Sequence, residues 1–381
     1  FILTSLDDIA WLFNLRGNDI PCCPVFLSYA VFTQESGVLF CEKNCANGSI
    51  QTALMKAGIE TRPYEEVEQY IRKMGQGKRV AMDMRVVNAH LAAQVPNENT
   101  LVDVVNPTGM WKAVKNETEV KNERIAHLKD GIAITKMLYW LRHTDKKQES
   151  EISVSDKLEE FRRLDEDYLG PSFDTISGYA EHGAIVHYEP TQETDIPLTE
   201  NGLFLTDTGG GYLEGSTDIS RTFAFGKLTQ RMKEDFTTVL QCNFNLAHAV
   251  FLEGTTGYNL DVLARMPAWR RGINFNHGTG HDVGYLMNIH EASCGFRCAI
   301  REKEHAPLMA GLVITDEPGI YIEGSHGVRT ENELLVREGE KNEYGQFLYF
   351  EPITYVPIDL DAIIPEMLTD QEREQLNDYH K

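Results

Sequence analysis

Four carboxylates stand next to apolar, strand-like segments in the second half of the sequence, and they constrain the fold more than any other feature. Asp207 ends the segment LFLTD, and Asp218 begins the segment after a glycine-rich turn. Glu317 ends VITDE, and Glu331 lies in the following strand-like segment. Taken singly, each would be an ordinary turn or surface residue. Two hairpins can gather them at one point, where they repel each other unless divalent cations lie between them.

Three histidines lie close together in the segment FNHGTGHDVGYLMNIHE. His277 and His281 are separated by Gly-Thr-Gly, which does not suit a helix interior, and His290 follows on the next apolar stretch. One loop histidine is usually structural, but three beside glycines indicate a site. Arg329, two residues before Glu331, can orient a neighbouring ligand carboxylate.

Four carboxylates and one imidazole predict a centre with two divalent cations. An oxygen-rich shell favours Mn²⁺, with Co²⁺, Fe²⁺ and Zn²⁺ as alternatives. Two such ions would hold a bridging water, lower its pKa and polarise a scissile carbonyl. The sequence therefore predicts a hydrolase.

The length of the chain indicates how many domains it has, and its charge excludes some classes of binding partner. With 381 residues we expect two domains. A net charge of −22 argues against nucleic acid or an anionic membrane surface as a partner, and no apolar run is long enough to span a bilayer. The acidic surface is either simply solvated or steers cationic amino termini.

Seven cysteines form no repeated CxxC pair. Zinc binding by Cys41 with Cys45, or by Cys294 with Cys298, is an alternative, but neither pair has a matching second pair. We therefore expect thiols and a reducing, cytoplasmic compartment.

The order of segments predicts an α/β domain over residues 1–113 and an α+β domain over residues 114–381. A long helix should open the second domain, with Ile125, Leu128, Ile132 and Tyr139 on its apolar stripe. Ser153 with Asp156 should cap the next helix. Strands are expected at AIVHY, LFLTDTG, RTFAF, LVITDEPGIYIE and GVRTENELLVRE, and helices around residues 229–252 and 258–271.

The metal-binding segments resemble those of the pita-bread metallopeptidases, which include methionine aminopeptidase, prolidase and aminopeptidase P. The similarity is greatest to the three-domain, eukaryotic-type aminopeptidase P, also called Xaa-Pro aminopeptidase. It covers essentially the whole chain and is carried by IAWLFNLRG, NPTGMWKAVKNETEV, AIVHY, HGTGHDVG, NIHE and TDEPG. The resemblance implies a creatinase/prolidase-like N-terminal domain and a pita-bread catalytic domain. It also implies that the first of the three domains is missing and that the chain ends short of the usual final helix.

The resemblance assigns a metal-binding role to five residues. Asp207 would chelate one ion, while Asp218 and Glu331 would bridge the two ions. His281 and Glu317 would complete the shell of the second ion. Glu317 would also take the proton from the attacking water.

The resemblance gives four further residues a role around the metals. His187 would line the substrate site, and His290 would help to stabilise the tetrahedral intermediate. His277 would orient the metal ligands, and Arg329 would contact a metal ligand without binding a metal ion itself. The implied reaction removes the N-terminal residue of peptides with penultimate proline, and dimerisation is an expectation.

Three alternatives remain. A prolidase would cleave only Xaa-Pro dipeptides. A non-catalytic pita-bread module would bind peptides or histones, but such modules typically lose metal ligands. The metal-free creatinase branch would rely on histidine and would not need the carboxylates.

The sequence departs from the family pattern at several positions. Asp282 stands where Gly is usual, and Ala292-Ser293 replace Gly-Pro. Ser220 and Thr330 replace Thr and Ile. No departure removes a ligand, so we expect activity, while the substrate range stays open.

Overall fold

The computed structural model describes residues 1–42, 47–291, 293–301 and 306–381. They form two compact units, Phe1–Lys112 and Ala113–Lys381. Among the described residues, every helix is too short or too polar to cross a membrane.

The first unit is an α/β domain, as predicted. Its strands β1 to β6 are Ile2–Leu3, Ser28–Phe32, Gly37–Cys41, Ile59–Pro63, Arg79–Met82 and Thr100–Asp103. Its helices α1 to α5 are Leu6–Phe13, Gly48–Lys56, Val67–Arg72, Ala89–Ala92 and Pro107–Ala113. Strands β1 to β4 form one sheet in chain order, with β2 and β3 antiparallel and β3 and β4 parallel.

The cysteines only partly follow the expectation of free thiols. Cys294 and Cys298 are free. Cys41, at the end of β3, is disulfide-bonded, so the prediction was wrong at this position. Cys45, the other half of the zinc alternative there, lies outside the described residues.

The second unit has five α-helices among its described residues. Helices α6 to α10 are Glu117–His143, Glu151–Arg162, Gln230–Ala247, Gly257–Arg270 and Asp370–Tyr379. The predicted stripe on α6 was wrong, because Leu128, Ile132 and Tyr139 are exposed. The buried face instead carries polar groups, among them Glu123 and His127. Apolar periodicity cannot locate a buried face that carries charges.

Two local predictions near the start of this unit were also wrong. Ser150, rather than Ser153, is the N-cap of α7, and Ser153 is its partner in the capping box. The segment AIVHY is not a strand: a short 3₁₀ turn ends at Ala184, and His187 lies in the turn that follows.

The second unit has fourteen strands among its described residues, all in antiparallel pairs. Strands β7 to β13 are Tyr168–Pro171, Ile176–Tyr179, Gly202–Thr208, Gly210–Tyr212, Gly215–Ser216, Ile219–Phe225 and Val250–Leu252. Strands β14 to β20 are Gly280–His281, Gly295–Phe296, Val313–Asp316, Gly319–Ile322, His326–Arg329, Asn332–Asn342 and Gly345–Pro352. They form sheets β12-β9-β8, β11-β10-β7 and β13-β20-β19-β16, and the two-stranded ribbons β14-β15 and β17-β18.

Close packing fixes even the two-residue strands. Phe296 on β15 is fully buried in a cluster with Leu312, Ile314 and Phe350. Burial of one such side chain contributes about 1.5–3 kcal/mol, which helps to hold the short ribbon in place. Gly280 on β14 passes so close to β16 that a Cβ at this position would lie 1.9 Å from the carbonyl oxygen of Thr315. This contact explains one glycine of the HGTGH segment.

Candidate metal centre

The first pair of carboxylates lies on the predicted hairpin. Strands β9 and β12 pair with Asp207 opposite Ser220, and Asp218 directly precedes β12. In the connecting turn a Cβ on Gly209 would lie 1.8 Å from the carbonyl oxygen of Thr217, so only glycine fits there. The pairing of β9 with β12 brings both aspartates to the same end of the hairpin, and strands β10 and β11 lie in the connection between them.

The second pair lies at the ends of other strands. Glu317 follows β16 directly, and Glu331 lies between β18 and β19. The Glu331 N–H donates to the carbonyl oxygen of Ser220 at 3.0 Å, which ties this segment to β12. The prediction of a hairpin between Glu317 and Glu331 was too simple, because the ribbon β17-β18 forms the hairpin and both glutamates flank it.

Three of the predicted ligands converge. Asp218, His281 and Glu331 are buried, and each offers a ligand atom within 4.8 Å of the others. His281 Nε2 lies 3.4 Å from Asp218 Oδ2 and 3.9 Å from Glu317 Oε1. Its Nδ1 lies 3.1 Å from the carbonyl oxygen of Asp282. Because a carbonyl only accepts, Nδ1 carries the proton, which leaves Nε2 of the neutral ring to bind a cation.

The planar guanidinium group of Arg329 connects the β17-β18 hairpin to the β9-β12 hairpin. Its Nη2 donates to Asp207 Oδ2 at 2.6 Å, and its Nε donates to Ser220 Oγ at 2.9 Å. Ser220 Oγ donates in turn to Glu331 Oε2 at 2.8 Å. The other Asp207 oxygen, Oδ1, is buried without a hydrogen-bond partner. Such an orphaned carboxylate oxygen is explained if it binds a cation.

Sequence reasoning missed Tyr321 on β17. Its hydroxyl accepts from Arg329 Nη1 at 2.8 Å and lies 2.9 Å from His277 Nε2. His277 Nδ1 lies 2.6 Å from the carbonyl oxygen of Gly278 and must donate there, so Tyr321 donates to Nε2. The only available signal was its position four residues after Glu317.

Glu333 was missed as well. Its Oε1 accepts from the backbone N–H of Asp218 at 2.7 Å, and its Oε2 lies 3.0 Å from Nε2 of the fully buried His127. A buried carboxylate thus holds the start of β12, although nothing in its strand-like segment distinguishes it from a surface residue.

The pKa values of the site reflect crowded negative charge. Burial, followed by repulsion from neighbouring carboxylates, raises the pKa of Glu331 well above its usual range. Burial raises the pKa of Asp218 to about 6 and that of Glu317 to about 7. The pKa of His281 rises to about 9 because Asp218 and Glu317 outweigh its burial. Without cations, protons therefore reduce the negative charge of the site.

The remaining histidines gather beside this cluster. The rings of His281 and His290 are 4.2 Å apart. Burial, with smaller contributions from nearby arginine and histidine side chains, lowers the pKa of His277 and of His290 to about 4. His187, exposed in its turn, contributes to both shifts and so lies near both rings. His277 and His290 are thus neutral near pH 7.

Two departures from the family pattern compensate each other. Asp282 is fully buried, and the Ser293 N–H donates to both of its oxygens, at 3.2 and 3.1 Å. Ser293 Oγ also donates to Asp282 Oδ2. A proline at position 293 would have no N–H to donate, so the aspartate and the serine suit each other. Ala292 lies outside the described residues.

Comparison with known proteins agrees with this architecture. Residues 121–338 match the profile of metallopeptidase family M24, residues 1–119 that of the creatinase/prolidase N-terminal domain, and residues 346–381 that of the C-terminal region of peptidase M24. A probable Xaa-Pro aminopeptidase P from Botryotinia fuckeliana is 38% identical over 393 residues, which cover 100% of this chain and 60% of that protein. One from Sclerotinia sclerotiorum is 38% identical, with 100% and 65% covered. The chain thus spans less than two thirds of the length of these relatives.

Solved structures show the same fold. The X-prolyl aminopeptidase from Caenorhabditis elegans, described as a cytosolic enzyme with a di-nuclear active site, superposes with a TM-score of 0.91 at 30% identity. The match covers 100% of this chain and 63% of that one. An Xaa-Pro dipeptidase from Bacillus anthracis superposes with a TM-score of 0.74 at 22% identity, with 95% and 94% covered. The second of these likenesses concerns the fold alone. From the profile match and the fold, the chain belongs to metallopeptidase family M24.

Proposed function

We propose that this chain carries the active site of an Xaa-Pro aminopeptidase, which hydrolyses the bond before a penultimate proline. The observation that carries the proposal is the convergence of Asp218, His281 and Glu331 within 4.8 Å, in a buried site. The relatives named as probable Xaa-Pro aminopeptidases P support this reaction over that of a prolidase.

The residues fit two divalent cations. Asp207 would bind one ion through its unpartnered Oδ1, and Asp218 and Glu331 would bridge the two. His281 and Glu317 would complete the coordination shell of the second ion. Mn²⁺ is our first choice because four of the five ligands are carboxylates. When bound, the ions would lower the pKa of a shared water and polarise the scissile carbonyl.

The side chains around the ligands suit a peptide with penultimate proline. An amide before proline has no N–H, so the site needs donors for the carbonyl but no acceptor for the amide. His187 and His290 can donate to the carbonyl oxygen, and Glu317 can take the proton from the attacking water. His277, bonded to Tyr321, would keep Arg329 and hence Asp207 in place.

The proposal is tested with the purified chain, treated with chelator and then reloaded with Mn²⁺, Co²⁺ or Zn²⁺. We expect release of the first residue from Xaa-Pro-Yaa and little turnover of Xaa-Ala-Yaa. Cleavage of the Xaa-Pro dipeptide alone would indicate a prolidase. Absence of both turnover and bound metal would indicate a peptide-binding module.

We also propose a homodimer, a cytoplasmic location and a boundary between the two domains near residue 113. The similar Caenorhabditis elegans enzyme is described as cytosolic, whereas the disulfide at Cys41 is unusual in a reducing compartment. Light scattering tests the dimer. Thiol labelling of the protein as isolated from cells tests whether Cys41 is reduced in its native compartment.

A further inference from the structure

A cavity of about 350 Å³ adjoins His277. Its described walls include Trp269, Phe275, His277 and three arginines, Arg265, Arg297 and Arg301. Neither aspartate nor glutamate is among the described lining residues. The chain as a whole carries a net charge of −22, whereas the charged side chains among the described lining residues are arginines.

One of the arginines builds the wall. Arg265 is buried, its Nε donates to Asp261 Oδ2 at 2.6 Å, and its Nη1 donates to the carbonyl oxygen of Phe275 at 2.6 Å. Its guanidinium also lies 4.1 Å from the centre of the Phe275 ring. Arg265 thus holds the loop before His277. Arg297, which is half-buried, and Arg301, which is exposed, place two further guanidinium groups along the cavity.

Arg297 directly follows the ribbon that carries a proposed metal ligand, His281. Strands β14 and β15 pair with His281 opposite Gly295, and Arg297 comes two residues after Gly295. Two strand residues span about 7 Å, so the backbone of Arg297 is that far along the ribbon from the His281 position. Its guanidinium lies against Gly278, where a Cβ would come within 2.5 Å of Nη1.

We propose that this cavity is a subsite for a carboxylate on the part of the peptide that follows the cleaved bond, with Arg297 and Arg301 as its donors. This inference rests on the proposed function. An aminopeptidase holds the cationic amino terminus at the metals, so a basic cavity that adjoins His277 suits the other end of a short peptide. An extended residue spans about 3.3–3.6 Å, so two residues span the roughly 7 Å between the His281 position and the backbone of Arg297. The carboxylate is therefore expected on the second residue after the bond.

Two sources could provide this group. One is the terminal carboxylate of an Xaa-Pro-Yaa tripeptide, and the other is an acidic side chain at the same position of a longer peptide. Guanidinium groups bind both through charge-assisted hydrogen bonds. Comparison of Ala-Pro-Ala with its C-terminal amide measures the first source. Comparison of Ala-Pro-Glu-amide with Ala-Pro-Gln-amide measures the second.

The experiment measures kcat/KM of the Mn²⁺-loaded protein for these pairs. We expect at least one carboxylate to raise kcat/KM about tenfold over its neutral partner, the size of effect that a charge-assisted hydrogen bond gives. Arg297→Gln should reduce this ratio to near one, and Arg301→Gln should reduce it in part. Arg270→Gln, at an exposed arginine at the end of α9 outside the cavity lining, should leave the ratio unchanged.

Failure of the subsite and failure of the proposed function give different results. If both peptides of each pair are cleaved equally well, or if Arg297→Gln keeps the ratio, the function stands and the subsite is wrong. If no peptide is cleaved, the function is wrong, and calorimetric binding of the same peptides then tests the cavity. Tighter binding of the carboxylate form, lost in Arg297→Gln, supports the subsite, whereas equal binding overturns it.

Discussion

At the residue scale, the residue types at the site could be predicted but their supporting contacts could not. Asp207, Asp218, Glu317 and Glu331 adjoin apolar strand-like segments, and this local pattern is visible in the sequence. The contacts of Tyr321 and Glu333 depend on register between strands that are distant in the chain. No local pattern encodes that register, so these two residues emerged only from the fold.

Glu331→Gln should separate metal binding from folding. The substitution keeps the shape of the side chain and an oxygen that can accept from Ser220 Oγ. A neutral amide also suits a position where burial and neighbouring carboxylates raise the pKa of the carboxyl. We expect loss of turnover by more than about 100-fold and weaker Mn²⁺ binding, with an unchanged melting temperature in chelator. Near-normal turnover would refute the two-metal proposal.

Arg329→Lys should weaken metal binding although the charge is kept. Arg329 donates to Asp207, Ser220 and Tyr321 through different nitrogens, and a single ammonium group cannot reproduce this fork. Loss of such an orienting partner typically costs about 10–100-fold in metal affinity. Calorimetric titration with Mn²⁺ measures the change, and Tyr321→Phe, which removes one of the three contacts, should show a smaller loss. Equal affinity in Arg329→Lys would contradict the positioning role.

At the element scale, strands with strong apolar patterns could be predicted, while segments with mixed patterns could not. The pairing of β9 with β12 follows from two apolar runs around a glycine-rich turn. Helix α6 was assigned correctly as a helix, but its buried face was wrong because Glu123 and His127 lie on it. AIVHY reads as a strand from its composition, yet tertiary packing places it in a turn.

The contact between Asp282 and Ser293 should stabilise the segment between β14 and β15. Ser293→Ala removes the hydroxyl donor from a buried carboxyl, so we expect the free energy of unfolding to fall by about 1.5–3 kcal/mol. Ser177→Ala is a matched control, because this buried serine donates to a neutral carbonyl oxygen, that of Glu151, at 2.7 Å. The control should lose only about 0.5–1.5 kcal/mol.

A double-mutant cycle tests whether the two departures act together. We expect Asp282→Asn and Ser293→Ala to be coupled by about 0.5–3 kcal/mol, as residues in contact are. Denaturant unfolding in the presence of chelator measures each variant. Additive effects of the two substitutions would show that Asp282 and Ser293 do not depend on each other.

At the scale of the whole molecule, the length and the order of segments predicted an α/β part followed by an α+β part, and the structure has two compact units, Phe1–Lys112 and Ala113–Lys381. Buried charge could not be predicted in this way. Arg162 with Asp130, and Lys115 with Glu291, are fully buried ion pairs in the second unit. Sequence alone does not show which charged residues are buried, since most charges in an acidic chain are solvated.

The buried charges of the metal centre should make the stability of the metal-free protein fall as the pH rises from about 6.5 to 9. The pKa of His281 is raised from 6.5 to about 9, so its stabilising contribution is complete below pH 6.5 and is lost through pH 9. Glu317, with a pKa of about 7, also loses its proton from the folded state around and above pH 6.5, and burial raises the pKa of Glu331 well above its usual range in the same direction. The native protein then binds more protons than the unfolded chain, so the free energy of unfolding decreases with pH.

The lowered pKa values of His277 and His290 make the free energy of unfolding rise with pH, but only between about pH 4 and 6.5. They do not affect its change between pH 6.5 and 9. We expect a loss of roughly 2 kcal/mol in chelator across that window, since one pKa unit corresponds to about 1.4 kcal/mol. Saturating Mn²⁺ should cancel the loss. The ligands must release their protons in order to bind metal ions, and the bound ions then neutralise the carboxylates in place of the protons. Denaturant unfolding at several pH values, with chelator and with Mn²⁺, measures both curves. A metal-free protein that is more stable at pH 9 than at pH 6.5 would mean that the carboxylates of the site do not share one buried centre.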